Sequence, residues 1–383
     1  VEDDQSVRGG KVGSSDQFGG GSHRDGNSEI GYSTIERRKG SMSKRVKLSV
    51  SLVVAVCMAV FLAGAWSAPS EAKAEITLRM AGQSPADHQS TLGMQKVSKW
   101  VAEATNGRID IKTYPSSQLG DYTLVYEELI RGTIDMALIS IPSQFDSRLE
   151  LIYVPYLMRD YNEAAEIFKQ GGWLFNKMAE LHGELGVLFL GFNVEGFGGL
   201  GLTKEPKEIL NPLVKKDLLL RVPPMDTFKI GADDMGYTTV SIPYAELYTA
   251  LQTGIAEGWT GGAPPHSYQG FRDVLKYYYQ INNYVETESY LMSKVTWDKL
   301  SEEDRKIIAD ACARAARESI DISEKEDREY FDKLQDYGVK SFWYTAEDVK
   351  DLAAHARKVT WPKLEKRLTK ELIDEMMEAY NVK

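Results

Sequence analysis

Cysteine and histidine are scarce in this chain, with two and five copies among 383 residues. The histidines (His23, His88, His182, His266 and His355) are scattered without the short spacings of metal ligands, so no metal site is read from the sequence. Nucleophile and phosphate-loop motifs are missing too: there is no G-x-S-x-G, no Walker-type loop and no H-E-x-x-H. Neither catalysis nor a cofactor is expected. Positive charge is also in short supply. The formal net charge is -10 and no Lys/Arg cluster occurs outside the N-terminal region, which argues against nucleic acid or an anionic membrane surface as partner. What remains is an ordinary composition, 43% hydrophobic and 27% charged, over a length that suits two domains.

Residues 1–41 are Gly/Ser-rich and poor in apolar side chains, and are expected to be disordered. Met42 then opens MSKRVKLSVSLVVAVCMAVFLAGAWSAPSEAKA. Lys44, Arg45 and Lys47 precede an apolar run from Leu48 to Trp66, and Ala72-Lys73-Ala74 supplies the small-x-small pattern of signal cleavage. The reading is a cleaved secretory signal over residues 42–74, a mature chain from near Glu75, and an upstream extension from a misplaced start over residues 1–41. An uncleaved anchor is the rival, because the run is nearly long enough to span a bilayer. The small, Pro-containing segment behind it favours cleavage. Cys57 follows Val56 rather than a small residue and makes a poor lipidation site. Cleavage leaves only Cys312, so no intrachain disulfide is expected and stability must come from the core.

Periodicity predicts an α/β fold in the mature chain. EITLRMAG reads as a strand, and Met94, Val97, Trp100, Val101 and Ala104 follow at helical spacing up to an Asn106-Gly107 cap. Ile109, Ile111 and Thr113 alternate on a second strand, Tyr122 to Arg131 is helical, and IDMALIS is a third strand. Strand–helix–strand with short connections implies a largely parallel sheet, with ligands beyond the carboxyl ends of its strands. Gln83, Gln118 and Ser140 stand at those ends and can each hydrogen-bond a ligand or simply satisfy loop backbone. A second α/β stretch holds DLLLRV, TTVSIP and a helix from Tyr244 to Gly254. From Ser301 to Gly338 nothing breaks the helical pattern, giving a helix of about 36 residues and about 50 Å. Such a helix braces two domains.

One motif is a decoy. GFGGLG, Gly196 to Gly201, is a literal G-x-G-x-x-G, but a dinucleotide site needs a helix to start on the glycines. LTKEPKEILNP follows instead, and Pro206 and Pro212 forbid an uninterrupted helix. The stretch reads as a Gly-rich crossover, and Asn193 to Gly201 is the candidate hinge.

The strongest chemical signal is Arg221 in DLLLRVPP. An arginine on a buried strand cannot lose its charge, so it needs an anion or a route to water. At a strand end its planar fork suits a carboxylate. Solvent access around the strand end and a structural ion pair are the alternatives.

YPSSQLGDYTLVYEELIRGTIDMALIS, VPYLMRD, LLLRVPP and IPYAELYTALQTGIAEG follow one another along the chain. Together they resemble the substrate-binding proteins of tripartite ATP-independent periplasmic (TRAP) transporters, of the dicarboxylate-binding type. The resemblance covers nearly all of residues 75–383. It implies an α/β clamshell, the two-domain periplasmic binding protein fold, with a long helix spanning both domains. Domain I would comprise residues 75–197 plus 286–326, and domain II residues 198–285 plus 327–383. It further implies a periplasmic receptor that closes on a small organic acid and hands it to small and large TRAP membrane subunits, with Arg221 as the carboxylate-binding arginine. Asn193, Trp259, Thr260 and Gly261 complete the expected substrate contacts. Two departures bear on specificity. Gly261 stands where relatives often place an asparagine, and Gly198 where they often place a second arginine. With Trp259 beside the gap, a monocarboxylate with an apolar or aromatic body is expected rather than a C4-dicarboxylate or sugar acid. An exported enzyme and a sensory module for a membrane kinase are the competing functions.

Overall fold

The computed structural model describes residues 74–381, so the predicted extension and signal segment lie outside the described residues. The strands form two sheets. The first holds β1 (Ile76–Gly82), β2 (Ile109–Tyr114), β3 (Met136–Ile139), β4 (Val187–Phe197) and β10 (Val285–Ser293), in the order β2-β1-β3-β10-β4. The second holds β5 (Gly199–Leu202), β6 (Leu219–Val222), β7 (Thr238–Ser241), β8 (Gly258–Gly262), β9 (Tyr277–Gln280) and β11 (Lys340–Trp343), in the order β11-β9-β5-β8-β6-β7.

The predicted elements of the first stretch are present, and β1 pairs in parallel with both β2 and β3. The sheet is mixed rather than largely parallel, because β10 runs antiparallel to both β3 and β4. Connectivity explains the reversal. The chain leaves this sheet along β4 and returns to it along β10, so the two strands must run in opposite directions.

Helix Glu302–Tyr337 has 36 residues, as the unbroken pattern predicts. Ser301 caps it by accepting the Asp304 N–H at 3.1 Å, and Gly338 closes it in a left-handed conformation at φ 105°. Ile308, Ala311, Cys312 and Ala315 pack into the core of the first sheet with Met94, Val97 and Val101. Phe331 and Leu334, six turns further on, pack instead with Trp259 and Tyr278 beneath the second sheet. One rod thus serves two cores.

The glycines of the GFGGLG crossover serve close packing, and no helix occurs between residues 203 and 218. Gly196 has φ +128°, and a Cβ there would lie 2.7 Å from the Ala263 Cβ and collide with the Asp327 carboxylate. That carboxylate, fully buried on the long helix, accepts the Phe197 N–H at 2.9 Å and the Tyr161 hydroxyl at 2.5 Å. Burial raises its pKa to about 8. Gly199 and Gly201 likewise leave room for the rings of Tyr278 and Trp259.

The sequence expectation groups residues 327–383 with the second sheet, and the C-terminal helices within that span also reach the first sheet's side. Trp361 donates its indole N–H to the Pro155 carbonyl at 2.9 Å, and the Tyr380 hydroxyl accepts the Leu174 N–H at 3.1 Å. Thr360 reaches Asp234 at 3.0 Å. Helices Trp361–Leu368 and Lys370–Ala379 therefore strap segments 147–184, on the side of the first sheet, to helix Asp226–Asp234. Their apolar faces (Trp361, Leu364, Leu368, Leu372, Met376) join one core cluster with Leu149, Leu174 and Met178 and with Phe228 and Ala232.

Gly196→Ala should destabilise the protein by about 2–5 kcal/mol, since it adds left-handed backbone strain to a clash that neither the sheet nor the long helix can relieve cheaply. Urea unfolding measures this directly. A midpoint within error of wild type would show that the crossover is not held by close packing.

Candidate functional site

Leu218, Leu220 and Val222 bury β6, and Pro223 ends it, which leaves Arg221 inside the protein at the strand's carboxyl end. Arg221 is 3% exposed. Its Nε donates to the Ile242 carbonyl at 2.7 Å, which fixes the plane of the guanidinium. Among the described residues it forms no ion pair, so its terminal N–H groups have no anion. Burial pulls its pKa down to about 10, opposed by Tyr244, Glu286 and Tyr122, so it stays charged at neutral pH. Tyr122 begins a helix of the first sheet's side and Glu286 lies on β10, so the charge looks from one sheet toward the other.

The facing wall is acidic. Opposite Glu286 and Thr287 of β10 stand Gly196 and Val194 of β4, so Glu195 is the extra residue of a β-bulge. The bulge brings the Glu195 carboxyl within electrostatic reach of Glu286 and Glu288, which share one face of β10. Glu195 accepts from the Ser90 hydroxyl at 2.5 Å, and Glu288 from the Ser84 hydroxyl at 2.8 Å, while Glu288 Oε2 is buried without a partner. Burial raises the pKa of all three carboxyls, and Glu195 adds to the rise at Glu286 and Glu288. Arg221 opposes the rise at Glu286 but does not prevail. Burial thus favours the neutral form of Glu286 and Glu288, in which a carboxyl donates as well as accepts hydrogen bonds.

The residues expected from sequence fall into separate groups. Arg221 stands in register with Trp259 on the adjacent β8, followed by Thr260 and Gly261. The Trp259 ring faces the core: it is 2% exposed, lies 4.9 Å edge-on from Phe271 and leaves no room for a side chain at Gly262. Its face is covered by protein rather than offered to a ligand. Thr260 is buried and accepts from Asn283 Nδ2 at 3.3 Å. Gly261 has φ +110°, with the Phe228 ring 3.4 Å from where a Cβ would be, and a Cβ at Gly198 would lie 3.4 Å from the Tyr284 carbonyl and 3.6 Å from Asn283 Oδ1. The two glycines are thus packed rather than open. Asn193 is buried and donates to the Ser90 hydroxyl at 2.9 Å, which joins it to the acidic wall. Gln83 and Ser140 pair with each other, Gln83 Nε2 donating at 2.8 Å and the Ser140 N–H returning a bond to Gln83 Oε1 at 3.0 Å. Gln118 lies in an exposed turn.

Sequence reasoning missed Glu195, Glu286, Glu288, His88 and His266. A signal was there for the acids: a glutamate inside the apolar run GVLFLGFNVEGF, and two glutamates at strand spacing in VETESYLMS. A surface cavity of about 720 Å³, lined by residues 208–213 with Tyr344, Asp351 and His355, shares no residue with this site.

A cation from one sheet facing polar side chains of the other, with a helix braced across both, defines an α/β clamshell binding protein. Residues 80–379 match the family of bacterial extracellular solute-binding proteins, family 7 (DctP), and the chain belongs to that family. A solute-binding protein of Chromohalobacter salexigens is 25% identical over 300 residues, covering 78% of this chain and 87% of that one. A solved TRAP periplasmic solute binding protein of Ochrobactrum anthropi, with its C-terminus bound in the ligand-binding pocket, has a TM-score of 0.73 at 23% identity, covering 81% of this chain and 95% of its own. Another, from Haemophilus influenzae with bound L-gulonate, has a TM-score of 0.70 at 24% identity, covering 79% of this chain and 99% of its own.

Glu288→Gln should make the protein more stable than wild type as pH rises, because a raised folded-state pKa contributes stability that is complete below the usual carboxylate range and is lost above it. Glutamine keeps the Ser84 bond and removes the titration. The two proteins should unfold alike near pH 4 and diverge above pH 5 by at most about 1.4 kcal/mol per pH unit. Parallel stability curves from pH 4 to 8 would mean that Glu288 titrates normally.

Proposed function

We propose that the protein is the periplasmic receptor of a TRAP transporter, binding one organic acid through Arg221 and delivering it to the small and large membrane subunits. One observation carries the reading: a charged guanidinium, buried and oriented by Ile242, whose terminal N–H groups meet no anion of the protein. A ligand carboxylate supplies that anion in bidentate form. Catalysis is no part of the reading. The lobes we assign follow the sheets, residues 75–197 with 286–326 and residues 198–285 with 327–383. The C-terminal helices strap across both, and the Gly196 crossover acts as hinge.

The ligand carries a single carboxylate and a hydroxylated body. A second carboxylate would enter a wall already lined by Glu195, Glu286 and Glu288, where burial and neighbouring carboxyls already work against negative charge. An aromatic body, expected from the sequence, loses its support because the Trp259 face is covered by Phe271 and Gly262. The carboxyls of Glu286 and Glu288, with Ser84 and Asn193, offer donors and acceptors to hydroxyl groups instead. The L-gulonate bound by the Haemophilus influenzae relative is a molecule of this kind.

Arg221→Ala should weaken binding of an aldonate by about 30- to 4000-fold, the equivalent of roughly 2–5 kcal/mol for truncating one partner of a buried charged pair. Calorimetry with L-gulonate, succinate and indole-3-carboxylate on both proteins tests the assignment. Unchanged affinity in the variant would remove Arg221 from the site. Tight succinate binding would overturn the single-carboxylate reading and leave Arg221 standing.

A further inference from the structure

His88, Glu195 and His266 are separated by 107 and 71 residues in sequence and converge in space. His88 belongs to the loop that caps helix Gln89–Ala104, Glu195 to the bulge of β4, and His266 to helix Pro264–Phe271, which follows β8 of the second sheet. One nitrogen of each ring and a carboxylate oxygen all lie within 4.8 Å of one another. Glu195 Oε1 is 3.5 Å from His88 Nδ1, and Glu195 Oε2 is 3.8 Å from His266 Nε2. The rings are 5.1 Å apart.

These separations are too long for good hydrogen bonds and close to what a metal requires. Bonds of about 2.0–2.1 Å at tetrahedral angles set neighbouring ligand atoms about 3.3 Å apart. Each ring keeps one buried nitrogen without a partner, His88 Nε2 and His266 Nδ1, while His88 Nδ1 accepts the Ser90 N–H at 3.3 Å. In either tautomer each ring leaves a polar atom poorly served, which is unusual for buried groups. The Ser90 hydroxyl holds Glu195 from behind at 2.5 Å, as the outer shell of a metal site does.

We propose that His88, Glu195 and His266 bind one divalent transition-metal ion of the zinc class, tying the first sheet to the helix that follows β8. Two imidazoles and a carboxylate suit such an ion better than calcium or magnesium, which prefer oxygen ligands throughout. The bound ion joins elements of both sheets and so favours the closed clamshell. It also places positive charge against the Glu195–Glu286–Glu288 wall. This inference does not depend on the identity of the organic acid.

The test uses the full-length exported protein, stripped with a chelator and free of organic acid. Calorimetric titration with Zn2+ should give one saturable equivalent and raise the Tm by several degrees. Glu195→Gln and His266→Gln should each weaken binding by 10- to 100-fold. Co2+ in the wild-type protein should give visible ligand-field bands and two contact-shifted imidazole N–H resonances, a readout that needs no variant to fold. Absence of a one-equivalent site, equal affinity in both variants, or a Co2+ spectrum with water and carboxylate ligands alone would overturn the proposal.

Discussion

The charge on Arg221 persists at neutral pH although burial pulls its pKa down to about 10, and among the described residues no ion pair neutralises it. An adjacent ionised glutamate would form an ion pair and close the site against ligand. Glu286 is near enough to feel Arg221, yet burial and Glu195 raise its pKa against that pull and so favour the neutral carboxyl. The guanidinium is left charged, positioned and unpaired. Its desolvation is tolerable only if an anion arrives, so the same constraint that makes the empty site unfavourable makes carboxylate binding favourable.

That arrangement depends on the antiparallel pair of β4 and β10. These strands carry the chain out of the first sheet and back into it, so they lie where the two lobes meet. They also carry the three carboxyls. The bulge at Glu195 adds one residue to β4 just before Gly196, where the backbone turns through a positive φ past Asp327. A regular strand would have sent Glu195 to the opposite face from its neighbours. The acidic wall and the crossover are consequences of one irregularity, and the long helix fixes it in place through the Asp327–Phe197 bond.

Most of the fold was legible because periodicity reports burial along one element at a time. The long helix was readable to its ends, since a Ser cap and a Gly stop mark it. Arg221 was readable because a charge in an apolar strand is anomalous by itself. The antiparallel return of β10 was not, because strand direction is set by where the chain must go next rather than by local pattern. Trp259 was misjudged for a related reason. A tryptophan beside an arginine has the same sequence signature whether its ring faces a ligand or Phe271, and only the packing of helix Pro264–Phe271 decides. The histidines illustrate the limit most sharply: ligand spacing in sequence exists only when ligands share an element, and these come from a loop, a strand and a helix.

The glycines at 198 and 261 show why a missing side chain is ambiguous evidence. Read as gaps, they enlarge the cleft and favour a bulky apolar ligand. In the structure Gly198 lies against Asn283 and Tyr284, and Gly261 adopts φ +110° beside Phe228. A Cβ at either position would meet its neighbours at ordinary van der Waals distance, so the glycines leave little free volume. Specificity then has to come from what lines the cleft, and what lines it is carboxyl, hydroxyl and amide. Hydrogen-bonding groups that are buried and incompletely satisfied discriminate strongly against ligands that cannot complete them. Glu288 Oε2 is such a group, and an apolar body would leave it unpaired. On the proposed reading, selectivity therefore lies in the unmet valences of the acidic wall rather than in the size of the cleft.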